Sequence, residues 1–124
     1  MNYTIKQVSQ RTNLSDHTLR YYDREGLMPL LKRSASGIRN YSENDICWIE
    51  LINCLKNSGM SLGEIKEFMN LCLKGEETCE ERKEILQKHK ENILSQIERL
   101  NNSLGIIDYK LDHYKQIGIF HIDG

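Results

Sequence analysis

Thr4-Ile5-Lys6-Gln7-Val8-Ser9-Gln10-Arg11-Thr12-Asn13-Leu14-Ser15-Asp16-His17-Thr18-Leu19-Arg20-Tyr21-Tyr22-Asp23-Arg24-Glu25-Gly26-Leu27 is the stretch whose punctuation decides the fold. Thr4 to Gln7 has the T-x-x-Q form of a capping box, in which the Thr hydroxyl accepts from a free backbone N–H and Gln reaches back. Ile5 and Val8 then share one face. Thr12-Asn13 interrupts the pattern, and Ser15 caps a second helix that sets Leu19 and Tyr22 on one side and Arg20, Tyr21 and Arg24 elsewhere. Gly26, with Leu27 next and Pro29 beyond, reads as a Schellman stop, since Gly adopts the left-handed C′ conformation cheaply. Two short helices joined by a turn of about three residues form a helix-turn-helix.

Downstream, Leu30 to Tyr41 changes to a small, Gly-containing centre with basic flanks, the pattern of a short hairpin or wing. Two helices are expected next, Glu43 to Asn57 behind Ser42 and Leu62 to Leu73 behind Ser61. Ile46, Ile49, Leu51, Ile52 and Leu55 give the first a broad apolar face, and Ile65, Phe68, Met69 and Leu71 do so for the second. Thr78-Cys79-Glu80-Glu81 reads as a further capping box. From there Leu86, Ile93, Leu100, Ile107 and Tyr114 recur every seven residues, with Ile97, Leu104 and Leu111 between them and Lys90 as the polar interruption. That is a coiled-coil seam of about four heptads, on a helix of roughly 50 Å. Leu86, Ile93, Ile97, Leu100, Leu104, Ile107 and Leu111 are the expected dimer interface, because a second copy is the commonest way to close such a seam. The competing arrangement folds the helix back on Ile46 to Leu73. The fold class is thus all-α with a small β wing. The expected divisions are a winged helix-turn-helix lobe with linking helices at 1–75, a coiled-coil helix at 76–115 and a short tail at 116–124.

The 124 residues exclude a large catalytic scaffold, and a net charge of −1 suggests no partner. Cut after Ser42, the charge separates: seven basic and three acidic residues give a +4 head, and the remainder carries −5. No run of 18 apolar residues occurs, and Met1 to Gln10 lacks a signal-peptide stretch, so the reading is a cytoplasmic protein without membrane contact. In that compartment the four cysteines are expected as thiols or ligands rather than disulfides.

A dimeric helix-turn-helix with a basic wing suits duplex DNA, since paired half-sites match paired recognition helices and Lys and Arg release counterions from phosphates. Tyr21 beside Arg20 and Arg24 suits phosphate contact, while Ser15, His17 and Thr18 start the second helix, where side chains meet base edges. The strings Arg20-Tyr21-Tyr22-x-x-x-Gly26-Leu27 and Arg33-x-x-x-Gly37-Ile38-Arg39-Asn40-Tyr41, followed by Gly59-Met60-Ser61-Leu62-Gly63-Glu64-Ile65, closely resemble the MerR family of bacterial transcription regulators. The resemblance runs through essentially the whole chain. It implies a winged helix-turn-helix, a linking helix pair and an antiparallel coiled-coil dimer. It also implies DNA contacts from Thr4, Lys6, His17, Thr18, Arg20, Tyr21, Arg33, Arg39 and Tyr41, whereas the spacing of Tyr22 from Leu19 puts Tyr22 in the core. Family members act on promoters whose −35 and −10 elements are too widely spaced, by distorting the DNA, with RNA polymerase as the further partner.

The string from Trp48 to Gly59 resembles the branch that answers reactive aldehydes or electrophiles through one cysteine, here Cys54. The chemistry requires some thiolate, which Lys56 or the basic head would favour. Cys54 also shares a helical face with Cys47 and Leu51, which would make it a small buried hydrophobe, and Cys47 and Cys72 are expected in the core. Cys79 resembles the start of the dimerisation helix in metal sensors, but no cysteine follows it, and His113 or His121 would be strained substitutes, so no metal or cofactor is expected. His89, at neither seam position, is expected at the rim. The tail from Gln116 is too short for a drug-binding domain. Two other classes compete: an effector-independent coiled-coil adaptor with a protein-binding head, and a cysteine-dependent enzyme, which lacks a His placed as its base.

Overall fold

The computed structural model describes residues 2–117. The chain runs β1 (Asn2–Tyr3), α1 (Ile5–Thr12), α2 (Asp16–Arg24), β2 (Lys32–Arg33), β3 (Arg39–Ser42), α3 (Glu43–Asn57), α4 (Leu62–Leu73), a 3₁₀ turn (Gly75–Thr78) and α5 (Cys79–Ile117). It divides into two compact units, 1–85 and 86–124.

The helices α1 to α4 start where their side-chain chemistry says they should. Thr4, Ser42 and Ser61 close full capping boxes with Gln7, Asp45 and Glu64, and the Ser15 hydroxyl accepts from the Thr18 N–H. α1 ends at Asn13, which takes the left-handed conformation (φ 62°) and donates its N–H to the Ser9 carbonyl. Asn tolerates that region because its short polar side chain bonds locally. α2 ends in the double bond of a Schellman motif: Leu27 N–H to the Tyr22 carbonyl at 2.9 Å and Gly26 N–H to Asp23 at 3.1 Å, with Gly26 at φ 80°.

β2 and β3 form the wing, an antiparallel pair in which Lys32 faces Asn40 and Arg33 faces Arg39. Its tip turns at Gly37 (φ 84°), with the Ser34 N–H on the Ile38 carbonyl. A third strand is present that the hydrophobic pattern does not announce: β1 lies on the other side of β3, with Tyr3 opposite Tyr41. Two residues are too few to display a period of two. Its attachment is polar, since the Tyr3 hydroxyl donates to Glu43 Oε1 at 2.6 Å and Arg11 donates to the same oxygen at 2.7 Å. These bonds hold the Glu43 carboxyl below the usual carboxylate range.

The core of this unit takes Val8 from α1, Leu19 and Tyr22 from α2, and Ile49 and Ile52 from α3, each essentially without exposure, with Ile65 and Phe68 from α4. Burying one such aliphatic side chain contributes about 1.5–3 kcal/mol, so the helix-turn-helix is held by its apolar face. Leu51 and Leu71, expected on that face, are half-buried, and Cys47 lies exposed. The core side of α3 is therefore the Ile46, Ile49, Ile52 stripe, and the Cys47, Leu51, Cys54 stripe borders it.

Thr78 corrects the expected capping box. Its hydroxyl turns back, donating to the carbonyls of Leu71 (2.6 Å) and Gly75 (2.9 Å) and accepting from Arg82 Nε. It thereby ties the end of α4 to the first turns of α5.

In the second unit α5 is uninterrupted, and much of its apolar seam is exposed: Ile97, Leu104 and Ile107 are about half exposed and Leu100 is 65% exposed. Ile93 is half-buried. The tail expected at 116–124, and His121 with it, lies almost wholly outside the described residues. No helix among the described residues is long and apolar enough to cross a membrane.

Candidate nucleic-acid interface

The exposed side of α2 is built by the same periodicity that buries Leu19 and Tyr22. His17, Arg20 and Arg24 are exposed, and Thr18 and Tyr21 are half-buried. Thr18 Oγ1 accepts from Ser15 Oγ at 3.0 Å, so the residues at the start of the helix are ordered by its cap. The Tyr21 ring has the Arg24 guanidinium on it at 5.8 Å and the Lys56 ammonium at 5.8 Å. Cations at this distance from a ring are attracted to its face. Thr4 and Lys6 are exposed in the first turn of α1, where the Thr4 hydroxyl is engaged by the Gln7 N–H.

The wing arginines are not loose. Arg39 Nε donates to Asp23 Oδ2 at 2.6 Å, and Arg33 Nη2 donates to the same oxygen. Asp23 is in the last turn of α2, so its carboxylate joins both wing strands to the helix whose outer face carries Arg20 and Arg24. Sequence reasoning named the arginines and missed the acid between them. The available signal was an acidic residue in the last turn of a helix, where the helix dipole favours a cation.

Tyr41 is a correction. Expected as a DNA contact, it has no exposed surface, and its hydroxyl is buried without a hydrogen-bond partner among the described residues. Burial pushes its phenol up from the ordinary value. β3 alternates, and Tyr41 falls on the inward phase while its neighbours Asn40 and Ser42 are only half-buried. Its part is to seat the wing on the core. Tyr22 is buried as expected, with its hydroxyl 3.5 Å from Asn53 Oδ1 on α3. Lys56 Nζ also lies 5.7 Å from its ring, a second link from α3 to the back of α2 that sequence reasoning passed over.

Cys54 is exposed on α3, one residue beyond Asn53, and Cys79 is exposed at the start of α5. Cys72 is half-buried, and burial pushes its thiol up, against a smaller opposite pull from Arg82. Among the described residues no group of three or more His, Cys, Asp or Glu is placed to hold a metal ion. His113 has Nδ1 2.8 Å from the Tyr109 carbonyl oxygen and its ring stacked on Tyr109 at 4.0 Å.

These features have counterparts in known proteins. Residues 3–72 match the MerR HTH family regulatory protein model, and residues 48–105 match the model described as MerR, DNA binding. An HTH-type transcriptional regulator of Haemophilus influenzae is 38% identical over 94% of this chain and 86% of its own length. The HTH-type transcriptional regulator AdhR of Bacillus subtilis is 44% identical over 73% of this chain and 64% of its own. A crystal structure of HiNmlR, a MerR family regulator lacking the sensor domain and bound to promoter DNA, superposes with a TM-score of 0.84 at 38% identity. It covers 94% of this chain and 92% of that one. With the capped helix pair, the wing and the long α5 all in family order, the chain belongs to the MerR family of DNA-binding transcriptional regulators, which are not enzymes.

Proposed function

We propose that this chain binds a pseudo-palindromic promoter as a homodimer, with α2 in the major groove and the wing on the flanking backbone, and alters transcription by distorting the DNA for RNA polymerase. The observation that carries this reading is the meeting of the wing arginines with α2 at Asp23, three residues from Arg20 and one from Arg24. It brings two wing guanidinium groups to the last turn of the recognition helix, whose exposed side carries Arg20 and Arg24. His17 and Thr18 occupy the other end, where short polar side chains meet base edges. The exposed α5 seam supports the dimer, antiparallel as in the family resemblance. Promoter DNA on HiNmlR, similar over most of its length, supports the ligand. Such a regulator works in the cytoplasm.

The test is fluorescence anisotropy on duplexes carrying the chain's own upstream region, at several salt concentrations. Arg20→Ala weakens binding to every duplex by about tenfold and makes the salt slope shallower by about one unit per lost phosphate contact. An unchanged slope removes Arg20 from the phosphate contacts. Absence of salt-dependent binding by the wild type leaves the protein-binding adaptor in its place.

A second reading concerns the input, and the exposure of Cys54 favours it. Its thiolate sulfur adds to the carbonyl carbon of an aldehyde, the carbonyl oxygen takes a proton, and a hemithioacetal results. The adduct sits beside Asn53 and Lys56, the α3 residues that touch Tyr22 and Tyr21 on α2. The similarity to AdhR at 44% identity is consistent with this branch. Cys54→Ser abolishes induction by formaldehyde or a quinone at the native promoter and leaves DNA binding intact. Equal induction in both proteins defeats this reading. Induction by a thiophilic metal that Cys79→Ser removes would install the metal sensor instead.

A further inference from the structure

An acid on a surface that grips a polyanion should weaken the grip. Asp23 is such an acid, in the last turn of α2 and between Arg20 and Arg24 in sequence. Helix physics does not account for it, because a carboxylate near a helix C-terminus opposes the macrodipole. Direct base reading does not account for it either, because its side chain is only 9% exposed. Its partners do. Asp23 Oδ2 accepts from Arg39 Nε at 2.6 Å and from Arg33 Nη2. Those two residues sit directly opposite each other in the β2–β3 register. Like charges in that relation repel, and a shared carboxylate offsets the repulsion.

We propose that Asp23 is a positioning residue for DNA recognition: it fixes both wing arginines in the arrangement that meets the phosphate backbone, so its negative charge raises affinity. The inference rests on the DNA-binding reading above. Each guanidinium carries five N–H donors, and the bonds to Asp23 use one nitrogen of each arginine. The remaining nitrogens are available to phosphate oxygens, and the two side chains keep 45% and 26% exposure. A long side chain that is already ordered loses less entropy when it binds. Asp23 thus does before binding what the DNA would otherwise have to do.

The charge and the positioning make opposite forecasts for Asp23→Asn. Each protomer becomes more positive by one, so electrostatics alone forecasts tighter binding. Positioning forecasts binding about tenfold weaker, from two arginines that must be ordered on the duplex. Anisotropy on a labelled duplex selected by the wild-type protein from a randomised pool measures this. D23N is compared with R33A/R39A and with the triple variant, and circular dichroism and urea midpoints are followed in parallel. The proposal expects the loss in D23N at unchanged folded fraction, and no added loss when D23N joins R33A/R39A. It is overturned if D23N binds as tightly as wild type or more so, or if the same loss appears without the arginines. It is equally overturned if the loss only tracks a reduced folded fraction. Failure of the wild type to select any duplex is a different result, and it overturns the DNA-binding reading itself.

Discussion

In residues 1–85, Val8, Ile49 and Ile52 are sealed from solvent by helices of the same chain, whereas in residues 86–124, Ile97, Leu100 and Leu104 are about half exposed or more. The side chains are equally apolar. What differs is the number of elements offered to cover them, four short helices and a sheet in one unit and a single helix in the other. A single amphipathic helix cannot bury its stripe on itself, so in the homodimer proposed above the second unit is completed by association and the first by folding.

That contrast can be broken in graded steps. Ile52→Ala opens a cavity in the closed core and is expected to cost about 3 kcal/mol, read from the urea midpoint, with the sedimentation mass unchanged. A fall in mass would show that the first unit is not self-sufficient. Leu100→Ala is expected to weaken self-association by about 2 kcal/mol, making the melting temperature depend more strongly on protein concentration. If its cost is independent of concentration, the seam is not an interface. Ser42→Ala removes the α3 cap and is expected to cost about 1 kcal/mol in the first unit alone, with no effect on association.

The smallest expected effect is one of pH. Arg11 and Tyr3 hold the Glu43 carboxyl below its ordinary value. A carboxylate with a lowered native pKa contributes stability that is present above its unfolded value and lost as pH falls through the native one. The melting temperature of wild type should exceed that of Glu43→Gln near neutrality, and the gap should close in acid, below about pH 4. A gap that stays constant would mean that the charge of Glu43 does nothing for the attachment of β1.

The sequence was most legible where a local rule has no competitor. Ser42 and Ser61 start α3 and α4 at the expected residues, because a hydroxyl followed three residues later by a carboxylate satisfies two N–H groups at once. Thr78 has the same local pattern, but the carbonyls of Leu71 and Gly75 compete for its hydroxyl and prevail. Cys47 was misplaced for a related reason: α3 is apolar over a wide arc, and periodicity alone does not say where its buried stripe ends. For the candidate site, charge pattern and family resemblance picked out the arginines of α2 and the wing. Tyr41 and Asp23 were not readable that way. One is turned inward by strand phase and the other recruited by residues ten and sixteen positions away, and both depend on a register that only the folded chain reveals.

The Schellman turn at Gly26 carries a last consequence. Its two bonds are made by backbone atoms, so the direction in which the chain leaves α2 toward the wing does not depend on the side chains at His17 and Thr18. The residues suited to reading bases and the turn that sets the spacing from helix to wing are at opposite ends of one short helix. On the DNA-binding arrangement proposed above, sequence preference and footprint length are therefore separable traits, and a lineage could exchange its operator's letters while keeping the operator's size.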